Sequence, residues 1–188
     1  MSQILDNKVF CKTLPNYLDI VIQDMIPIYN NFQIDYTHPK SRVYNGQWDM
    51  IIMSMYHHKT KYAEQFKRTY ELIMDNVADC HSIAVSVLRP GTVIKPHKGM
   101  DNNLFRGHLY FDVPDGCQFI TEDTTKDLSN GDCFYFDDMV IHSANNKSDK
   151  PRYMIAFDFY KDPSKPHTEL RDDMLAWIKQ NDAGINNA

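Results

Sequence analysis

The stretch "RPGTVIKPHKGMDNNLFRGHLYFDV", residues 89–113, decides the fold. Its second half is a run of strand formers that also carries an arginine and a histidine two positions apart. Side chains of a strand alternate between faces, so a strand over 105–113 puts Arg106, His108 and Tyr110 on one side. Phe105, Leu109, Phe111 and Val113 then take the other side and are expected to pack a core between two sheets. A later stretch, "GDCFYFDDMVIHSANNKSDKPRYMIAFDF", residues 131–159, repeats the arrangement. There Arg152, Met154 and Ala156 oppose Tyr153, Ile155 and Phe157. A guanidinium facing a barrel interior is a buried charge that requires an anion. Two inward arginines therefore imply a dianionic ligand more than they imply salt bridges.

Working outward, residues 81–160 are short β-branched and aromatic runs: "HSIAVSVL", "RGHLYFDV", "CQFIT", "DCFYF" and "YMIAFDFY". Gly91, Pro114-Asp115-Gly116, Asn130-Gly131 and Lys150-Pro151 punctuate them, as turn residues do. At least five strands at this spacing predict a barrel or jelly roll. Upstream, "LPNYLDIVIQDMIPIYNNFQ" (14–33) has Leu18, Val21, Ile22 and Met25 at helical spacing, with Pro27 expected to end the turn. Residues 34–48 read as loop. In 48–77 the second half reads as helix, with Tyr62, Phe66, Tyr70 and Ile73 on one face; Met50, Met53 and Met55 read as core packing. After Pro166, "HTELRDDMLAWIKQ" is expected to form a terminal helix capped by Thr168. The layout is one domain over 1–188: a mainly helical and loop part (1–80), a jelly-roll core (81–160), and a C-terminal helix and tail (161–188).

Composition narrows the function. The net charge of −5 argues against a nucleic-acid partner, whose footprint is a basic face. No apolar run approaches the 18 or so residues that span a bilayer. The opening "MSQILDNKVF" shows no secretory pattern, and Cys11, Cys80, Cys117 and Cys133 are scattered with no CxxC pair. The expectation is a cytoplasmic protein with reduced thiols and no membrane partner.

His97 and His142 each stand at a strand edge, after "IKP" and "FDDMVI". Neutral imidazole is the commonest side-chain ligand for a transition metal. Two such histidines, far apart and followed by an arginine, fit a non-heme iron centre with open positions for a keto acid and oxygen.

"SVLRPGTVIKPH", "RGHLYFDVP", "GDCFYFDD" and "IHSANNKSDKPRYMIAFD" together resemble the aspartyl/asparaginyl β-hydroxylase family of iron(II)- and 2-oxoglutarate-dependent oxygenases. The resemblance covers about residues 84–160 and implies a double-stranded β-helix, the jelly-roll core of those enzymes. It implies His97 and His142 as iron ligands. Arg152 would pair with the distal carboxylate of 2-oxoglutarate, a role suited to bidentate guanidinium geometry. Ser86, Arg106 and His108 would complete the co-substrate site, with O₂ as the second co-substrate. Related oxygenases commonly carry Asp or Glu two residues after the first histidine. Here that position is Gly99, a gap the named family shares, so water or Asp101 is left to complete the site. Asp137 or Asp138 is expected to orient His142 or a neighbouring backbone group. Asn146 and Asp158 match further family positions in a supporting role. His57, His58 and His38 read as surface residues, and His81 and His167 as structural.

The implied reaction is hydroxylation of an unactivated C–H in an amino acid, peptide or protein side chain of Asp/Asn type, with a small-molecule or peptide substrate expected. The competing reading is a non-catalytic jelly-roll module that binds an anionic ligand. A zinc hydrolase would need a third protein ligand and a general base, and the chain has no HExxH element.

Overall fold

The computed structural model describes residues 3–29, 36–37, 43–99 and 101–166. The expected helix after Pro166, as well as His38 and His167, lies outside the described residues. In chain order the helices are α1 (Val9–Thr13), α2 (Leu18–Tyr29), α3 (Lys61–Gln65) and α4 (Lys67–Asn76). The strands are β1 (Tyr36–Thr37), β2 (Tyr44–Asn45), β3 (Trp48–Met55), β4 (His58–Lys59), β5 (Cys80–Leu88), β6 (Val93–His97), β7 (Leu104–Asp112), β8 (Cys117–Thr121), β9 (Thr125–Asp127), β10 (Cys133–Asp137), β11 (His142–Asn146) and β12 (Arg152–Tyr160).

Two antiparallel sheets face each other. The larger runs β1-β3-β5-β12-β7-β10, with β4 paired to β3; the smaller runs β2-β6-β11-β8-β9. This mainly β jelly roll matches the expectation from the alternating runs. The strand over Trp48–Met55 was not foreseen. It pairs with β5 along the register Met50↔Ser86 and Ile52↔Ala84, so the large sheet crosses the expected boundary at residue 80. Its burial on both faces hides the alternation that would have revealed it.

The apolar residues divide into two cores. Val85, Val87, Leu109, Phe111, Ile155 and Phe157 pack against helix residues such as Val21, Met25, Tyr70 and Ile73. The Phe105-Leu109-Phe111 face therefore meets the helices rather than the second sheet, which corrects the sequence expectation. Val113 departs from that set and packs with the inter-sheet cluster of Tyr110, Phe119, Phe134, Phe136 and Met154. It follows the end of β7, near a register shift between Tyr153 and Met154.

The helical face of Tyr62, Phe66, Tyr70 and Ile73 is buried as expected. Thr60 caps α3, accepting from the Tyr62 backbone N–H at 3.1 Å, and its hydroxyl donates to the Ile52 carbonyl at 2.6 Å. Pro27 does not end α2. Its missing N–H removes only one bond near the helix end, and buried Ile28 holds the last turn to Tyr29. Ile22, expected on the buried face, is exposed. All four cysteines are thiols.

Candidate functional site

Strands β6 and β11 are neighbours in the small sheet, and their register places His142 opposite His97. The two ring centroids are 4.3 Å apart. In each ring Nδ1 lies 2.8 Å from a backbone carbonyl two residues earlier, Lys95 O for His97 and Val140 O for His142. A carbonyl only accepts, so Nδ1 carries the proton and the Nε2 lone pair is left for a ligand. Of the two roles expected for Asp137 and Asp138, orienting His142 falls to the chain's own Val140 carbonyl, while Asp137 holds a neighbouring backbone group, its Oδ1 accepting from the Met139 N–H at 2.9 Å. Burial pushes the pKa of His142 down to about 4, against the opposing pull of the Val140 carbonyl. At neutral pH the ring is uncharged and competent to bind a metal.

Arg152 opens β12 and is 1% exposed. Its Nη2 donates to Ser86 Oγ at 3.3 Å, and its guanidinium carbon lies 5.4 Å from the centre of the Tyr110 ring. Nε makes no hydrogen bond, and no carboxylate pairs with this cation among the described residues. Burial weakens its protonation, with only Tyr110 and Cys117 acting the other way. Ser86 also accepts from Trp48 Nε1 at 2.9 Å. His108 is buried beside this group, its Nδ1 3.0 Å from the Tyr110 hydroxyl. Burial and then the positive charge of Arg152 hold its pKa well below the usual range, so it is neutral.

Arg106 behaves differently. It forks onto Asp158 through Nε at 2.7 Å and Nη2 at 2.9 Å, and Nη1 is 3.2 Å from Asp138. Burial opposes its charge, but the two carboxylates outweigh burial and hold it more firmly protonated than a free arginine. The expectation that this inward arginine awaits an anion is thus overturned: two aspartates already neutralise it. Asp138 is buried, which raises its pKa against the pull of Arg106. Its Oδ2 lies 1.6 Å from where a Cβ on Gly99 would stand. The missing side chain two residues after His97 is therefore space taken by a carboxylate from another strand's end.

Ser86, His97, Arg106, His108, His142 and Arg152 all line one cavity of about 410 Å³ between the sheets. That is within the range of small-molecule sites. Trp48 and Tyr56 also line it and were missed as site residues; Asp138 and Asp158, expected only in supporting roles, line it too. The FDD element marked Asp138 and the strand alternation marked Arg106, but nothing local showed that the two would pair. His57 and His58 are exposed, as expected. Asn146 supports the site from behind, donating to the Leu88 and Lys150 carbonyls, both at 2.8 Å.

Two adjacent imidazoles with free Nε2 atoms, sharing a cavity with a buried cation that no carboxylate pairs among the described residues, fit a metal that also binds an anionic chelate. Among the described residues no third His, Cys, Asp or Glu joins them in a ligating group. The set suits a two-histidine centre and not a closed structural zinc site.

A family profile described as Aspartyl/Asparaginyl beta-hydroxylase matches residues 18–162. Over 79 residues, 40% of this chain, the sequence is 35% identical to "Aspartate beta-hydroxylase domain-containing protein 2" of Mus musculus and, likewise, of Homo sapiens. The match covers 23% of the mouse protein and 21% of the human one, so the chain spans less than a quarter of these curated relatives. Among solved structures, a Pseudomonas putida prolyl-4-hydroxylase aligns at 12% identity with a TM-score of 0.48, covering 79% of this chain and 88% of that one. A cupin-like protein of Thermotoga maritima aligns at 10% identity with a TM-score of 0.45, covering 82% and 98%.

Proposed function

Because the chain belongs to the aspartyl/asparaginyl β-hydroxylase family, we propose that it is an iron(II)- and 2-oxoglutarate-dependent oxygenase. It would hydroxylate an unactivated C–H of an amino acid, peptide or protein side chain. The observation that carries this reading is Arg152: a fully buried guanidinium with no carboxylate partner among the described residues, in the same cavity as the His97–His142 pair.

In this proposal His97 and His142 hold iron(II) through Nε2, with their rings fixed by the Lys95 and Val140 carbonyls. When bound, the metal supplies oxygen activation driven by oxidative decarboxylation of 2-oxoglutarate to succinate and CO₂. Arg152 and Ser86 receive the distal carboxylate of the keto acid, and the charge-assisted contact replaces the hydration lost on burial. His108, neutral and held by Tyr110, lines the same channel without adding a competing positive charge. Phe119 and Phe136 pack around His142, with ring centroids 6.0 and 4.8 Å away, and shield that side from water. Arg106 braces Asp138 and Asp158 rather than offering its charge to the co-substrate. An Asp- or Asn-type target rests on the family alone.

The test is a 2-oxoglutarate titration of the iron-loaded chain, followed by succinate and oxygen-consumption assays. Saturable binding with iron-dependent succinate release is the expected result. Saturable binding with no oxygen consumption under any substrate would leave a non-catalytic anion-binding jelly roll.

A further inference from the structure

Tyr110 has no exposed surface, yet it touches two residues that line the cavity. Its ring lies 5.4 Å from the Arg152 guanidinium carbon, and its hydroxyl lies 3.0 Å from His108 Nδ1. Burial pushes the phenol pKa up, so the hydroxyl keeps its proton. That proton has one acceptor among the described residues, His108 Nδ1. A neutral imidazole carries a single N–H. With that N–H at Nδ1, His108 would donate to the Tyr110 oxygen, and the phenol proton would be buried without an acceptor, which is costly. With the N–H at Nε2, Tyr110 donates to Nδ1 and both groups are satisfied.

Resting on the oxygenase reading, we propose that Tyr110 is a positioning residue: its hydroxyl donates to His108 Nδ1 and so presents the His108 Nε2–H to the cavity as a donor for the bound keto acid. This tautomer is the reverse of that in His97 and His142, whose Nδ1–H groups donate to carbonyls. His108 therefore gives a hydrogen bond where those two give a lone pair. The Arg152 guanidinium reaches Ser86, which stands level with Met154 and Tyr110. His108 stands level with Ala156, two residues further along β12, about 7 Å at the usual rise of an extended strand. A five-carbon diacid held by Arg152 and Ser86 spans that step. It arrives beside the metal pair, because His108 and His142 pack on the same two rings, Phe119 and Phe136. Of the other cations lining the cavity, Arg106 is forked onto Asp158 and Lys98 is exposed to solvent. The buried donor at this level is therefore His108, and Tyr110 sets which way it points.

The first test is a long-range proton–nitrogen NMR spectrum of the metal-free full chain, which tells a protonated ring nitrogen from a bare one. His108, its signals identified by their loss in His108→Leu, should be protonated at Nε2. The second is a double-mutant cycle on 2-oxoglutarate affinity, by isothermal titration under nitrogen with iron(II) present. Tyr110→Phe keeps a ring against Arg152 and removes only the hydroxyl. It should weaken 2-oxoglutarate binding roughly tenfold, with iron affinity unchanged. In a His108→Leu background the same substitution should change that affinity by less than about twofold, since its effect runs through His108. A His108 protonated at Nδ1 in the parent overturns the proposal. So does a Tyr110→Phe variant that binds 2-oxoglutarate like the parent, or one whose loss is equal in both backgrounds. A parent chain that binds no 2-oxoglutarate overturns the oxygenase reading instead, and the NMR spectrum then decides the part played by Tyr110.

Discussion

Gly99 shows how one residue's missing side chain organises a site. A Cβ there would fall 1.6 Å from Asp138 Oδ2, so Gly99→Ala must displace a buried carboxylate and disturb its pairing with Arg106. We expect a loss of about 1–3 kcal/mol, the usual cost of overpacking, read as a lower urea midpoint at unchanged slope. Gly99→Asp would restore the carboxylate spacing common in related oxygenases, yet it meets the same obstacle and should not raise turnover. Arg152 tests the co-substrate role. Lysine keeps its charge but loses the two-pronged donor, so Arg152→Lys should weaken 2-oxoglutarate binding roughly ten- to a hundredfold, at about 1.4 kcal/mol per factor of ten. Iron affinity should hardly change, and a parent-like 2-oxoglutarate titration would make Arg152 structural. With two histidines as the visible ligands, His97→Ala and His142→Ala should each abolish tight iron binding, measured by metal titration of the purified variants.

Among the elements, the hairpin joining β3 to β4 is the most constrained. Tyr56 and His57 both have positive φ, +47° and +69°, a costly conformation for such side chains. Backbone bonds from Tyr56 to Ser82 Oγ at 3.0 Å and from His57 to the His81 carbonyl at 2.7 Å hold the turn. The His81 ring stacks between Tyr56 and Tyr160, with centroids 5.0 and 4.3 Å away. Burial pushes the pKa of His81 down to about 4. A depressed pKa means that the unfolded chain takes up the proton first. Stability from this residue is therefore complete above the ordinary value of about 6.5 and is lost as pH falls toward 4, at about 1.4 kcal/mol per pH unit. Urea unfolding of the metal-free protein between pH 7 and 4.5 should show that decline. His81→Gln should make it shallower by one proton's worth; an unchanged slope would remove His81 from the effect. In β7, Gly107 faces Phe157, whose ring would lie 2.0 Å from an added Cβ. This glycine lets the aromatic core close onto the sheet.

Across the whole molecule, the two sheets are tied at one corner by Asn146. Its side chain bridges the end of β5 and the turn before β12, and its backbone N–H donates to the Thr92 carbonyl at 2.9 Å. Asn146→Ala removes a donor from the Leu88 carbonyl and leaves the Lys150 carbonyl to the Ser148 hydroxyl at 2.8 Å; it should cost about 1–3 kcal/mol, seen as a lower melting temperature, with the cavity loosened at the Arg152 end. The sequence by itself determined the strand runs and the residues that share the cavity face. Alternation is local, so Arg106 with His108, and Arg152 with Met154 and Ala156, needed no partner strand to be read. The family motifs were equally legible, because they lie in continuous stretches around His97 and His142. The strand over Trp48–Met55 escaped because burial on both faces erases alternation. Only the tertiary structure decided the state of the charges. Arg106 and Asp158 are 52 residues apart and meet through the pairing of β7 with β12. Asp138 enters the space beside Gly99 from the end of β10. Whether a buried arginine is neutralised or left for a ligand depends on such registers, and register is a property of paired strands that no single stretch of sequence carries.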